Sequence, residues 1–190
     1  MTELVLRNRQ RIRPVNLALL RRLTRVLLID FLAVERFELG IHLVAAPRIA
    51  RLNRQFLDHF GSTDVITFDH SRDSDSSSAH QRGGPSRGLA SIDGDGDGAA
   101  RPPAQLHGEI FICLDDAVRQ ARQFRTTWQS ELVRYLIHGL LHLVGYDDLT
   151  RTGRRAMKRE ENRWLRLLSR EFSFEHLEKA PSHRPANRQS

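Results

Sequence analysis

His138 and His142 stand four residues apart in the stretch His138-Gly139-Leu140-Leu141-His142-Leu143-Val144-Gly145-Tyr146-Asp147-Asp148. That spacing puts two imidazoles on one helix face, where they can hold a single metal ion. Gly145 can take the left-handed conformation that ends a helix and reverses the chain. The returning segment then brings a carboxylate back toward the same ion. Asp147 and Asp148 both lie beyond that turn, and a third ligand six residues after the second histidine selects Asp148. Two nitrogens and one oxygen leave the fourth position of a tetrahedral zinc open, as catalytic sites do and structural sites do not. A His-Glu-x-x-His protease carries its water-activating glutamate directly after the first histidine, and Gly139 cannot serve there, so peptide hydrolysis is disfavoured.

These residues need a scaffold. A helical run begins near Thr127, and Leu132, Tyr135, Leu136, Leu140 and Leu143 recur along it as one buried stripe beside the histidines. Glu3 to Arg9 alternate as a half-exposed strand. Asn16 is placed to cap a helix whose apolar face runs from Leu19 to Phe31. Phe37 to Ala45 reads as a second strand, followed by a short helix from Arg48 to Leu57 with Pro47 in its first turn. The β-branched run Thr63 to Phe68 is a third strand. Gly108 to Cys113, almost wholly apolar, is a fourth and belongs in the middle of the sheet. Asp115 or Asp116 caps a helix through Phe124, and a last helix covers about Thr150 to Arg170. Strands come early and helices late, which defines an α+β domain: a small mixed four-stranded sheet packed with about five helices, the metal site on one helix and the turn after it. Glu109, at the start of the central strand, and Tyr146, in the turn, are each expected to hydrogen-bond near a ligand histidine and fix its tautomer.

The 190 residues suffice for one domain with a proper core. That domain is expected over residues 1–172, interrupted at about 70–104 by a Ser/Gly/Asp/Pro-rich flexible insertion and followed by a disordered basic tail over 173–190. Inside the insertion, Asp93-Gly94-Asp95-Gly96-Asp97-Gly98 begins like a calcium loop. It lacks the acidic twelfth residue, where Ala104 stands. The chain has one cysteine, Cys113, no secretory leader pattern and no apolar run of membrane-spanning length, so a reducing cytoplasm is expected and a membrane is not. A net charge of +7, carried almost entirely by arginine, fits a polyanionic partner.

Several segments together resemble the bacterial rRNA-maturation endoribonucleases of the YbeY family. The family signature is His-Gly-x-Leu-His-Leu-x-Gly-Tyr-Asp-His; His138 to Asp147 match it and Asp148 replaces the last histidine. Leu52-Asn53-Arg54-Gln55-Phe56-Leu57 and Thr63-Asp64-Val65-Ile66-Thr67-Phe68 resemble the family's upstream blocks, and Gly108-Glu109-Ile110 its Gly-Asp-Ile strand. The resemblance runs from about residue 3 to 168, excluding the insertion. It implies a single-strand-specific, zinc-dependent endoribonuclease with one ion at His138, His142 and Asp148. The implied partners are single-stranded RNA and the small ribosomal subunit, in rRNA 3′ end maturation and ribosome quality control, with no DNA or membrane. Asp147 matches the aspartate that the family keeps beside its third histidine, which implies a supporting role in the turn. The family's cleft arginine corresponds to Leu57, so Arg51 and Arg54 become the candidate phosphate contacts. The alternative is a ribosome-associated assembly factor with a structural metal and little cleavage activity.

Overall fold

A computed structural model describes residues 2–57, 61–71 and 105–179. Residues 72–104 of the expected insertion, with its calcium-like run, and residues 180–190 of the expected tail lie outside the described residues. The elements are β1 (Thr2–Asn8), α1 (Leu17–Val26), β2 (Arg36–Val44), α2 (Ala46–Leu57), β3 (Val65–Asp69), β4 (Gln105–Cys113), α3 (Leu114–Phe124), α4 (Trp128–Leu143) and α5 (Arg151–Glu171). The fold is α+β, as the order of the sequence patterns requires. The four strands lie in the order β1-β2-β4-β3, with β1, β2 and β4 parallel and β3 antiparallel to β4. β4 is therefore an interior strand, which accounts for its apolar sequence.

Alternation divides the sheet into two faces. Leu39, Ile41 and Leu43 of β2 and Leu106, Ile110 and Ile112 of β4 point into the main core, where α1, α3, α4 and α5 close over them. Asn16 caps α1 by accepting from the backbone N–H of Leu19 at 3.2 Å. Leu20, Leu23, Leu27 and Leu28 are fully buried, each removing apolar area worth about 1.5–3 kcal/mol. The helix widens into a π turn at Leu27–Phe31. α2 covers only one end of the opposite face, burying Ile49 and Leu52 against Val44, Ile66 and Cys113. The rest of that face is an open groove of about 250 Å³ lined by residues such as Glu38, His42, His107 and Glu109.

Two local expectations are corrected. Neither Asp115 nor Asp116 caps α3. The helix starts after Cys113 with no side-chain cap, while Asp115 accepts from the Ala46 backbone N–H at 2.7 Å and Asp116 pairs with Arg119 at 2.8 Å. Asp115 is drawn off by a backbone donor 69 positions away, and Asp116 by a guanidinium one turn further along its own helix. The segment expected as the start of a tail is also ordered to residue 179. Phe174–Leu177 forms a 3-10 turn, Leu177 is fully buried, and Glu178 bridges Val15. The Leu177 carbonyl accepts from Asn16 N–H at 2.8 Å, so the end of this segment is tied to the head of α1.

Candidate metal centre

α4 is positioned by its contact with β4. A Cβ at Gly139 would lie 2.7 Å from Ile110 Cγ2 and 3.4 Å from Val65 Cγ1. The glycine therefore lets the helix lie flush on the sheet, and a glutamate there is sterically excluded as well as absent. Thr127 opens the helix by accepting from Ser130 N–H at 3.2 Å. At the other end Gly145 has φ of +95°. The N–H of Gly145 bonds the His142 carbonyl and that of Tyr146 bonds the Leu141 carbonyl, the paired arrangement that turns the chain out of a helix.

That turn delivers the site. His138 Nε2 and His142 Nε2 are 3.1 Å apart, and Asp148 Oδ1 lies 4.0 Å from His142 Nε2. Among the described residues these three form the one group of histidine, cysteine or acidic side chains whose ligand atoms all fall within 4.8 Å of one another. The far nitrogen of each imidazole is committed elsewhere. His138 Nδ1 is 2.8 Å from Glu161 Oε1 of α5, and His142 Nδ1 is 3.1 Å from the Tyr146 carbonyl oxygen. Donation of the Nδ1 proton to these acceptors leaves both Nε2 lone pairs facing the same point. Two lone pairs at 3.1 Å repel unless a proton or a cation lies between them. A donor set of two imidazole nitrogens and one carboxylate oxygen suits a zinc-like ion, so the residues fit a metal.

The electrostatics agree with that reading. Burial pulls the His138 pKa down, but the hydrogen bond and charge of Glu161, with the nearby charges of Asp64 and Asp148, outweigh it and hold His138 above the ordinary histidine value. Burial and then the charge of His138 push His142 below it. Without metal, an added proton therefore goes to His138 before His142. Side-chain exposure rises from 7% at Glu161 through 20% at His138 and 27% at His142 to 42% at Asp148, so the centre opens to solvent on the Asp148 side.

Of the expected supporting residues, Tyr146 acts through its backbone carbonyl and not its phenol. Asp147 Oδ1 accepts from Leu149 N–H at 2.6 Å and shapes the turn, while Arg154 Nη1 holds the Asp148 carbonyl at 3.0 Å. Glu109 is a correction. Ile110 points toward α4, so its neighbour in the strand points to the other face, where Glu109 contacts His42 at 2.9 Å and His70 at 3.7 Å, away from His138, His142 and Asp148. Arg51 and Arg54 are exposed on α2. Glu161 was not singled out in the sequence, although its place four positions after Met157 on the amphipathic α5 put it near the buried stripe. Lys158 Nζ, at 3.4 Å, and Arg134 Nη1, at 3.6 Å, keep its carboxylate company.

Fold and site together define the class: an α+β domain with a solvent-open histidine–histidine–aspartate centre able to hold a metal ion. The chain belongs to the Endoribonuclease YbeY family, whose sequence profile matches residues 6–169. Relatives named Endoribonuclease YbeY include one from Salinibacter ruber, 34% identical over 127 residues that make up 67% of this chain and 68% of that protein. Another, from Chlorobium phaeovibrioides, is 33% identical over 118 residues, 62% of this chain and 60% of that protein. The solution structure of TM1509 from Thermotoga maritima shares the fold, with a TM-score of 0.54 at 21% identity, covering 96% of this chain and all of that one.

Proposed function

We propose that this protein is a metal-dependent endoribonuclease that cuts single-stranded RNA in the 3′ maturation of small-subunit ribosomal RNA and in ribosome quality control, working in the cytoplasm on the small ribosomal subunit. The observation that carries the reading is the convergence of His138, His142 and Asp148 on one point, in a chain of this family. Zinc is the ion the donor set suits, and when bound it supplies Lewis-acid charge at the scissile phosphate and a nucleophile at neutral pH.

The chain's own residues do the rest. Glu161 and the Tyr146 carbonyl lock the two imidazole tautomers, so both ligand nitrogens are ready without rearrangement. The Asx-type turn at Asp147 and the Arg154 contact fix the loop that presents Asp148. Arg51 and Arg54, exposed on α2, offer guanidinium charge to the phosphates of the bound strand. No helix among the described residues is long and apolar enough to cross a membrane.

The test is cleavage of single-stranded and duplex RNA by metal-loaded and chelated protein, with His138→Ala and His142→Ala as controls. Cleavage confined to the single strand, lost on chelation and lost in both variants, is expected. Equal cleavage by metal-free protein would refute the reading. One feature favours a second reading: α2 ends in Leu57, where the resembling family carries its cleft arginine. An assembly factor with a structural metal would complement a deletion strain even as a folded His138→Ala/His142→Ala variant.

A further inference from the structure

Three arginines cluster in one loop at the far end of the sheet, and like most arginines among the described residues they form no ion pair. Arg119, Arg134, Arg159 and Arg163 all sit in ion pairs. Arg9, Arg11 and Arg13, in the loop after β1, form none among the described residues, and Arg9 and Arg11 are exposed.

The loop is nonetheless rigidly built. Gln10 is 6% exposed and spends its whole side chain on its neighbours. Its amide donates to Asn8 Oδ1 at 2.8 Å and to the Arg13 carbonyl at 2.8 Å, and its oxygen accepts from Ile12 N–H at 2.6 Å and Arg13 N–H at 3.0 Å. Arg9 N–H still pairs with the Leu43 carbonyl at 2.9 Å, and beyond the loop the Pro14 carbonyl accepts from Lys179 N–H at 2.8 Å. The loop is thus pinned at both ends. Holding three like charges in a fixed loop costs repulsion, which a bound polyanion relieves, and a preorganised loop loses little entropy on binding.

The position of the loop names the polyanion. Along the carboxyl edge of the parallel strands lie, in order, the loop after β1, the head of α2 with exposed Arg48, the end of β4, and the start of β3. Cys113 N–H bonds the Asp64 carbonyl at 2.8 Å, and Val65 packs beside Gly139, next to His138. The edge therefore leads from the arginine loop to the start of β3 across three strand spacings, roughly 14 Å, and the metal centre lies beyond it on α4. The two carboxylates at the β4 end, Asp115 and Asp116, are already engaged by Ala46 N–H and Arg119.

We propose that Arg9, Arg11 and Arg13 form a second RNA contact that grips phosphates of the same strand whose scissile bond lies at His138, His142 and Asp148. This rests on the ribonuclease reading of that centre. A long substrate would engage both places, and an oligonucleotide too short to cross the edge would engage only the metal centre.

The test uses the full chain with all three arginines changed to serine, compared with the wild type and with the triple Arg→Lys variant. Binding of a long single-stranded RNA is measured against salt in the presence of chelator, so that cleavage plays no part. Loss of three phosphate contacts should flatten the slope of log affinity against log salt by about 2, at about 0.7 per phosphate for single strands. Affinity for the long RNA should fall at least about tenfold at moderate salt, while the short oligonucleotide binds and is cut as before. The Lys variant should keep most of the slope. Should the serine variant melt lower, Arg11→Ser alone, expected to remove about 0.7 of slope, carries the test. An unchanged slope would overturn the proposal, as would an equal loss on the short substrate or a polyglutamate competitor that binds the loop as tightly as RNA does. If wild-type protein cuts no RNA but the slope still flattens, the ribonuclease reading fails and the RNA contact stands.

Discussion

Replacing Glu161 by glutamine tests how the proposed metal centre is held. The carboxylate accepts from His138 Nδ1 at 2.8 Å with its side chain 7% exposed, so little water competes for the bond. Glutamine keeps the shape and can still accept that proton, but it removes the charge. A hydrogen bond to a charged group is worth about 1.5–3 kcal/mol, and a neutral one about 1 kcal/mol. The difference, about 0.5–2 kcal/mol, is lost from the basicity and orientation of His138. At about 1.4 kcal/mol per factor of ten, Glu161→Gln should weaken metal affinity by roughly 2- to 30-fold. Glu161→Ala should do worse, because it also removes the acceptor of the His138 Nδ1 proton from a buried position. The assay is competition with a chromophoric chelator at neutral pH, alongside the melting temperature of the metal-free protein. Metal affinity within twofold of wild type would refute the argument. So would an affinity loss that merely tracks a fall in the melting temperature, since that would make Glu161 a packing residue rather than one that positions a ligand.

Further outcomes follow from the same geometry. Asp148→Asn should lose most metal affinity, while Asp147→Asn should lose little, because an asparagine oxygen can still accept from Leu149 N–H; chelator competition on both variants checks this, and the reverse order would reassign the third ligand. Leu177→Ala should destabilise the protein by about 2–5 kcal/mol in denaturant unfolding, as expected for a fully buried leucine, and an effect near zero would mean that the segment after α5 does not pack. Cys113 should resist alkylation in the native state. Burial pushes its thiol up to about 11, so the reactive thiolate is scarce at pH 8 and grows only as pH approaches that value. Rapid stoichiometric labelling of folded protein at pH 8 would contradict it. The same shift favours the folded state fully below the unfolded thiol's pKa, with the advantage lost as pH rises toward 11.

What lies close together in the sequence was decided by the sequence. The i, i+4 histidine pair, the apolar stripe of α4, the glycine that reverses the chain and Asn16 at the head of α1 all depend on interactions among residues a few positions apart, and helical and strand periods report those directly. Distant partners were decided only by the tertiary structure. Glu161 reaches His138 across 23 positions because α5 docks on α4, and its period on α5 placed it near the buried stripe without naming the side chain it meets. The side of the sheet on which Glu109 falls was hidden because β4 is apolar along most of its length. Only the packing of Ile110 under Gly139 fixes the alternation and sends Glu109 to the opposite face. Asp115 looked like a helix cap until the head of α2 offered it the Ala46 N–H. Leu177 stood in a polar stretch with no periodicity around it, and became a core residue because the head of α1 left a backbone N–H and an apolar gap for it to fill. A single side chain between polar neighbours carries no period, so its burial is set by the surface it meets and not by its own segment.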